Sequence, residues 1–452
     1  MHILFVSGLG GDTRRYRCAH HQQQLALHGI TSVLCEADEA RLYAEAAACD
    51  LVILHRVAWS PRIRDVVELA HSRGLPAVFE TDDLIFAPEL YDRIAFLDTL
   101  TPDAAQRFRA DLVGQAQTFA RCDCVLTSTE YLAEAAARRG KPAYVQRNAA
   151  SAEMVAAAEG AYALRQARLA DAKAGETPAL QSPVVIGYFS GTGSHNRDFS
   201  VVAPVLAELM GVYPHLWLHI SGHLEIGGAL LAYTDGIRRA PFVDWRELPN
   251  LVAQIDINLA PLELDNPFCQ AKSEIKYSEA ALVGVPTVAS PTQAYAYAVE
   301  DGRTGFLAAT PDEWRRALIR LIEQPQVREQ MGETARRAVY AAYLPEKAGE
   351  ALVAVLNTIR QRHAPPPAEP EATLQLLAER AVAQMENQAA ELAQVTRQAE
   401  QLRQLLARWE GAGRREDTEF WRAGLLANQE RQQAVLREIL LRLEQQGAGG
   451  RA

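Results

Sequence analysis

A chain of 452 residues is too long for a single hydrophobic core and predicts two or three domains. Its formal charge of −10 argues against a general nucleic-acid binder, although a basic pocket can exist inside an acidic protein. No apolar run reaches the ~18 residues needed to cross a bilayer, "MHILFVSGLGG" lacks the pattern of a signal peptide, and the six cysteines are scattered without zinc or disulfide spacing. The expectation is a cytoplasmic protein.

From residue 1 to about 165, short apolar runs ("HILFVS", "LVILH", "PAVFET", "CVLTS") alternate with helical stretches such as "SPRIRDVVELAHSRG". Buried strands joined by helices of this length predict a parallel, doubly wound sheet. Residues 160–182 read as a helix and linker. A second series over 183–343 repeats the plan, with strands expected in "PVVIGYFS", "LWLHIS", "APFVDW", "IDINLAPL" and "VPTVAS". Two tandem Rossmann-like α/β domains are the simplest account, and ligands then bind at the carboxyl ends of the strands, in a cleft the domains share. After a stiff proline-rich linker at 363–372, Leu374, Ala378, Ala381, Met385, Gln388, Leu392 and onward to Trp409 keep a 4-3 spacing. That pattern predicts a coiled-coil or helical tail over 373–446, joining copies of the chain or docking a protein partner; a single exposed helix is the plainer alternative.

Each half opens with a strand, a glycine loop and a helix. Gly10 and Gly11, and later Gly191 and Thr192, therefore lie where free amides and the helix dipole favour an anion. Neither loop is a GxGxxG or Walker sequence, and each also fits a plain tight turn. In "NPFCQAKSEIKYSEAALVGVPTVAS", Lys272, Lys276 and Glu279 fall within ~60° on one helix face, with Lys272 and Ser273 expected in its first turn. Phosphate on the lysines and a ribose diol on Glu279 suit this arrangement. So does a solvated face with a Lys–Glu pair worth about 0.3 kcal/mol. In the first domain, His55 and Arg56, then Glu80, Asp82 and Asp83, then Arg14, Arg15 and Arg17 fall at or just after strand ends and are expected to face the cleft. D-x-D, H-E-x-x-H and G-x-S-x-G motifs are absent, so metal-bridged diphosphate binding, zinc hydrolysis and serine esterase chemistry have no motif.

"IDINLAPLELDNPF", "SEAALVGVPTVAS" and "DGRTGFL" resemble the donor-binding half of GT-B glycosyltransferases, the family-4-like glycosyl transferases group 1. "FVSGLGGDTRRYR" and "VFETDDLIF" look like a subgroup from bacterial surface-polysaccharide clusters. The resemblance spans about residues 1–360 and is strongest over 184–308. It implies facing Rossmann domains, with a helix in 344–362 crossing back to the first, and a nucleotide diphosphate-sugar held mainly by the second. Glu279 matches the second glutamate of the family's E-x7-E motif, whereas the first falls on Ala271; Glu274 or the "NPF" stretch could replace it. The family's Arg and Lys pair falls on Thr192 and Arg197, so one cation is kept, and Lys272 and Lys276 could supply the missing charge. The family's His-Asp aligns with Asp82 and Asp83.

The expected function is therefore transfer of a sugar from a nucleotide diphosphate-sugar to a hydroxyl of a glycan or lipid-linked acceptor, in the cytoplasm or peripherally at the inner membrane. No cofactor or metal is expected. Asp82 is the expected acceptor-positioning or basic residue, with His55 as the alternative, and Gly10, Gly11, Gly191, Thr192, Arg197, Lys272, Ser273, Lys276 and Glu279 are expected around the donor. A nucleotide-sugar 2-epimerase and a non-catalytic GT-B scaffold are the competing readings.

Overall fold

The computed structural model describes residues 1–94, 97, 99–174, 183–191 and 196–366, with isolated positions 393, 394, 396, 397 and 400. Thr192, the linker beyond residue 366 and, apart from those isolated positions, the expected coiled coil of 373–446 lie outside the described residues. Both sheets belong to one compact unit.

The first sheet has six parallel strands: β1 (His2–Ser7), β2 (Thr31–Glu36), β3 (Leu51–His55), β4 (Ala77–Thr81), β5 (Cys124–Thr127) and β6 (Ala143–Val145), in the order β2-β1-β3-β4-β5-β6. The second has β7 (Val184–Ser190), β8 (Leu216–Gly222), β9 (Ile237–Ala240), β10 (Ile257–Ala260), β11 (Thr287–Ala289) and β12 (Phe306–Leu307), ordered β12-β11-β10-β7-β8-β9. Because both faces of each sheet are covered, successive side chains of one strand enter different cores. Leu4 and Val6 pack with Ile63, Val66 and Ala70 of the helix Pro61–Ser72. Ile3 and Phe5 pack instead with Leu352, Leu356 and Ile359 of the helix Pro345–His363, which closes the back of the first sheet.

The strand order reverses between β1 and β3 in the first sheet and between β7 and β10 in the second. Crevices beyond the carboxyl ends of strands at such points are where doubly wound sheets bind ligands. Two expectations about local structure are corrected here. "APFVDW" is not a strand: β9 ends at Ala240, and the residues after it form a loop. The helix expected to begin near Lys272 is split, with one short helix at Pro267–Gln270, capped by Asn266, and another at Ile275–Leu282. Lys272 and Ser273 lie in the break between them.

The first helix also carries an irregularity. Gly11–Arg14 and His20–Ala26 are α-helical, but Arg15–Ala19 between them is a π-helical turn. Such turns place an extra residue in one revolution and are common at functional sites. Here Arg15 and Tyr16 point toward the second domain, while Arg17 points into the first. Arg17 and Glu80 were expected at the cleft, yet both side chains have 0% exposure and meet at 2.5 Å beneath it. Arg17 Nη1 also donates to the Gln146 carbonyl at 2.7 Å and to Asn148 Oδ1 at 2.9 Å. Arg14 turns outward and pairs with Glu36 on the surface.

Burial pushes the Glu80 carboxyl up to about 7 against the opposing Arg17 guanidinium. Removing the guanidinium leaves a buried carboxylate without its counter-charge. Arg17→Ala is therefore expected to destabilise the first domain by about 3 kcal/mol or more. The loss should grow as pH rises, because Glu80 must then be held protonated; urea denaturation of both forms at pH 6 and 8 measures it.

Candidate active site

A cavity of about 840 Å³ opens between the carboxyl ends of the two sheets. Gly11, Thr13, Arg15, Tyr16, Arg56, Asp82 and Asp83 line it from the first domain. Across from them lie Ser190, Gly191, Trp245, Lys272, Ser273, Lys276 and Glu279, among others. Gly11 has φ +72°, a backbone region that glycine enters without strain.

On the first-domain side, β1, β3 and β4 end at one level. Gly8 N–H donates to the His55 carbonyl at 3.0 Å and Arg56 N–H to the Glu80 carbonyl at 3.1 Å. A Cβ on Gly8 would sit 2.5 Å from the Arg56 carbonyl oxygen, so only glycine lets the two loops touch backbone to backbone. Arg56 itself has φ +44°, a left-handed conformation that costs about 1–3 kcal/mol in a non-glycine residue and persists where its surroundings enforce it. Its guanidinium reaches Asp82 at 3.2 Å and Asp83 at 3.9 Å.

Asp82 also accepts from the Thr13 hydroxyl at 2.7 Å. Since that hydroxyl has one proton and gives it to a carboxylate, it must accept from His55 Nε2–H, 3.2 Å away. Ser7 Oγ lies 2.9 Å from Nδ1 and donates to the Leu9 carbonyl at 2.8 Å. His55 is thus a neutral link in a relay of Ser7, His55, Thr13 and Asp82. It was expected to face the cleft, but it is fully buried and reaches the cavity only through Thr13. Burial is the main reason its imidazole is lowered to about 3. Burial pushes the Asp82 carboxyl up, but the Arg56 charge and the Thr13 bond outweigh it and hold it at about 2.

On the second-domain side, the first intrahelical bonds of Ile275–Leu282 are made by Tyr277 and Ser278 to the Glu274 carbonyl. The amides just before them precede any helical partner and lie at the cavity wall with Ser273, Ile275 and Lys276. Lys272 pairs with Asp83 across the cleft at 3.3 Å, and that charge raises its ammonium. Lys276 donates to the Phe189 carbonyl, and burial lowers it while Glu279 opposes the shift. Glu279 accepts from the Tyr16 hydroxyl at 2.7 Å, and burial raises it.

Other expected residues fall elsewhere. Gly10 is outside the lining. Arg197 is 56% exposed, pairs with Glu263 at 3.2 Å and is not in the cavity lining. Glu274 is buried below the site, accepting from Tyr343 at 2.6 Å and Arg147 at 3.1 Å. It cannot stand in for the glutamate missing at Ala271. Tyr16, Trp245 and Tyr295 line the cavity without having been singled out; the tyrosine set between arginines in "TRRYR", one turn past a glycine loop, was the available signal. Among the described residues, Asp198, Glu263 and Cys269 bring potential metal-ligand atoms within 4.8 Å of one another. Glu263 is engaged by Arg197, and burial keeps the Cys269 thiol protonated, donating to Asp198 at 3.2 Å, so this set does not fit a thiolate metal centre.

Residues 185–324 match the family model for glycosyl transferases group 1. No curated protein matches the chain. HepE from Anabaena, solved with UDP and glucose, superposes with a TM-score of 0.52 at 16% identity, over 79% of this chain and all of HepE. Sucrose-phosphate synthase from Thermosynechococcus elongatus gives 0.52 at 14% identity, over 79% of this chain and 98% of that one. A glycosyltransferase from Rickettsia africae gives 0.54 at 10% identity, over 80% and 99%. These likenesses establish the GT-B fold, two parallel-sheet domains facing across a cleft. The group 1 match falls on the second of these domains. No helix among the described residues is long and apolar enough to cross a membrane.

Asp82 offers a pH test. An unfolded aspartate titrates near about 3.9, so a folded value of about 2 contributes stability above that pH, which is lost as pH falls toward 2. The gap in urea midpoint between the natural protein and Asp82→Asn is expected to shrink as pH falls below about 4.

Proposed function

We propose that the enzyme moves a sugar from a nucleotide diphosphate-sugar, held by the second domain, to a hydroxyl of a glycan or lipid-linked acceptor held by the first, without a metal ion. The observation that carries this reading is the convergence of Lys272, Lys276 and the leading amides of Ile275–Leu282 on one wall of the cavity, with Glu279 a helical turn beyond. Phosphates lie against the lysines and amides, where helix geometry and charge favour an anion, and the ribose diol lies on Glu279. Because Arg197 is outside the cavity lining, the diphosphate is assigned to Lys272 and Lys276, the second-domain lysines within it.

As the bond from the anomeric carbon to the diphosphate oxygen breaks, charge grows on the leaving group. Two ammonium groups and fixed amides stabilise that charge more than the ground state. Asp82, a weak base at about 2, accepts a hydrogen bond from the acceptor hydroxyl and orients it, while Arg56 and Thr13 hold the carboxylate still. His55 holds Thr13. Heptads in the tail are the feature that would join copies of the enzyme or dock it to a partner.

Glu279→Ala is expected to weaken UDP or GDP binding several-fold with the fold intact, read by thermal shift over a panel of nucleotide-sugars. Unchanged affinity would sink this assignment of Glu279. Sugar transfer is expected to persist in excess EDTA; activity lost there and restored by Mg²⁺ or Mn²⁺ would overturn the metal-free mechanism. Conversion of the sugar without nucleotide release would indicate an epimerase.

A further inference from the structure

Glu279 belongs to the second domain, but the hydrogen bond that fixes its carboxylate comes from the first. Tyr16 is 4% exposed, and its hydroxyl donates to Oε1 of Glu279 at 2.7 Å. The tyrosine is itself held. The Arg15 guanidinium lies 4.4 Å from the Tyr16 ring and 4.8 Å from the ring of Trp245, so an arginine of the first domain is sandwiched between aromatic faces of both. Arg15 is steadied in turn by Asp12, 3.1 Å away. The π-helical turn makes this possible, presenting Arg15 and Tyr16 to the second domain while Arg17 anchors the same turn on Glu80.

One carboxylate oxygen is thereby engaged, and Oε2 has no hydrogen-bond partner among the described residues. A carboxylate with one oxygen pinned presents the other in a fixed direction. Left with both oxygens unengaged, the side chain would turn among rotamers, and ordering it would weaken binding.

We propose that Tyr16 is a donor-positioning residue: it aims Glu279 at the ribose diol, so that recognition of ribose is a property of the two domains together. This rests on the assignment of Glu279 to the ribose. It adds that the acceptor domain takes part in choosing the donor, and that a donor meets its complete site only when the domains face each other. Tyr16 touches Glu279 and not the reacting atoms, so its effect falls on donor affinity and selectivity.

The experiment titrates the full chain with UDP and with 2′,3′-dideoxy-UDP, or the guanine pair where the protein prefers GDP, following Trp245 fluorescence or heat. Four forms are compared: natural, Tyr16→Phe, Glu279→Gln and the double variant. Phenylalanine keeps the ring against Arg15 and removes only the hydroxyl. The natural protein is expected to favour the ribose ligand roughly tenfold, and Tyr16→Phe to lose most of that preference while its affinity for the dideoxy ligand stays within about twofold. In the Glu279→Gln background, Tyr16→Phe should change nothing further. The proposal is overturned if Tyr16→Phe keeps the full preference. It is equally overturned if the variant binds UDP more tightly, since Tyr16 would then be a plug over Glu279. If the natural protein shows no ribose preference, the assignment of Glu279 fails first and takes this inference with it.

Discussion

The architecture of the cleft depends on one buried ion pair. Arg17 and Glu80 meet below the carboxyl ends of the first sheet, away from water, where an isolated charge would be intolerable. The guanidinium ties three pieces of chain: the end of β4 through Glu80, the first helix on which it sits, and the segment at Gln146 and Asn148 that leaves β6 for the second domain. With Arg17 held there, its helical neighbours Arg15 and Tyr16 have one direction left, across the cleft. Asn148 extends the connection by donating to Ser273 at 2.9 Å, at the donor wall itself.

The cleft is also balanced in charge before any ligand arrives. Lys272 faces Asp83, Arg56 faces Asp82, and Glu279 accepts from Tyr16. These pairs cross or border the space that an anionic donor would take, and the cavity still stays open. Pairing with these partners lets Lys272 and Arg56 line a cleft that also holds carboxylates, in a protein of charge −10. It also means that any anion reaching Lys272 competes with Asp83 for it.

The central strands were legible because they are buried on both faces and therefore apolar without interruption: "HILFVS" and "VVIGYFS" could hardly be anything else. Those misread or passed over, β2 ("TSVLCE"), β6 ("AYV"), β9 ("IRRA") and β12 ("FL"), are all at sheet edges. An edge strand is half wet and short, so it carries no continuous apolar run. Of the residues singled out in the sequence, Asp82, Lys272, Lys276 and Glu279 do line the cavity. Sequence could not separate Glu80 from Asp82, because two residues apart they would share a face of a continuing strand; β4 instead ends at Thr81, and the tertiary partner Arg17 draws Glu80 inward. A helix break at Ala271–Glu274 was hidden as well, since nothing in "AKSEIK" is a helix breaker; Glu274 is drawn inward by Arg147 and Tyr343, partners more than 60 residues away in sequence.

The missing side chain at Gly8 has a mechanical meaning. With no Cβ between them, the loop after β1 and the loop after β3 are in backbone contact, and the hydrogen bond from Gly8 to His55 joins them. Thr13 rides on the first loop and Arg56 on the second, and both grip Asp82. The first-domain wall of the cleft is consequently one stiff plate. Gly222 does the same in the second domain, where a Cβ would sit 2.0 Å from the Ser190 carbonyl oxygen, so each wall is stiff and a change of fit must come from exchanging side chains on it.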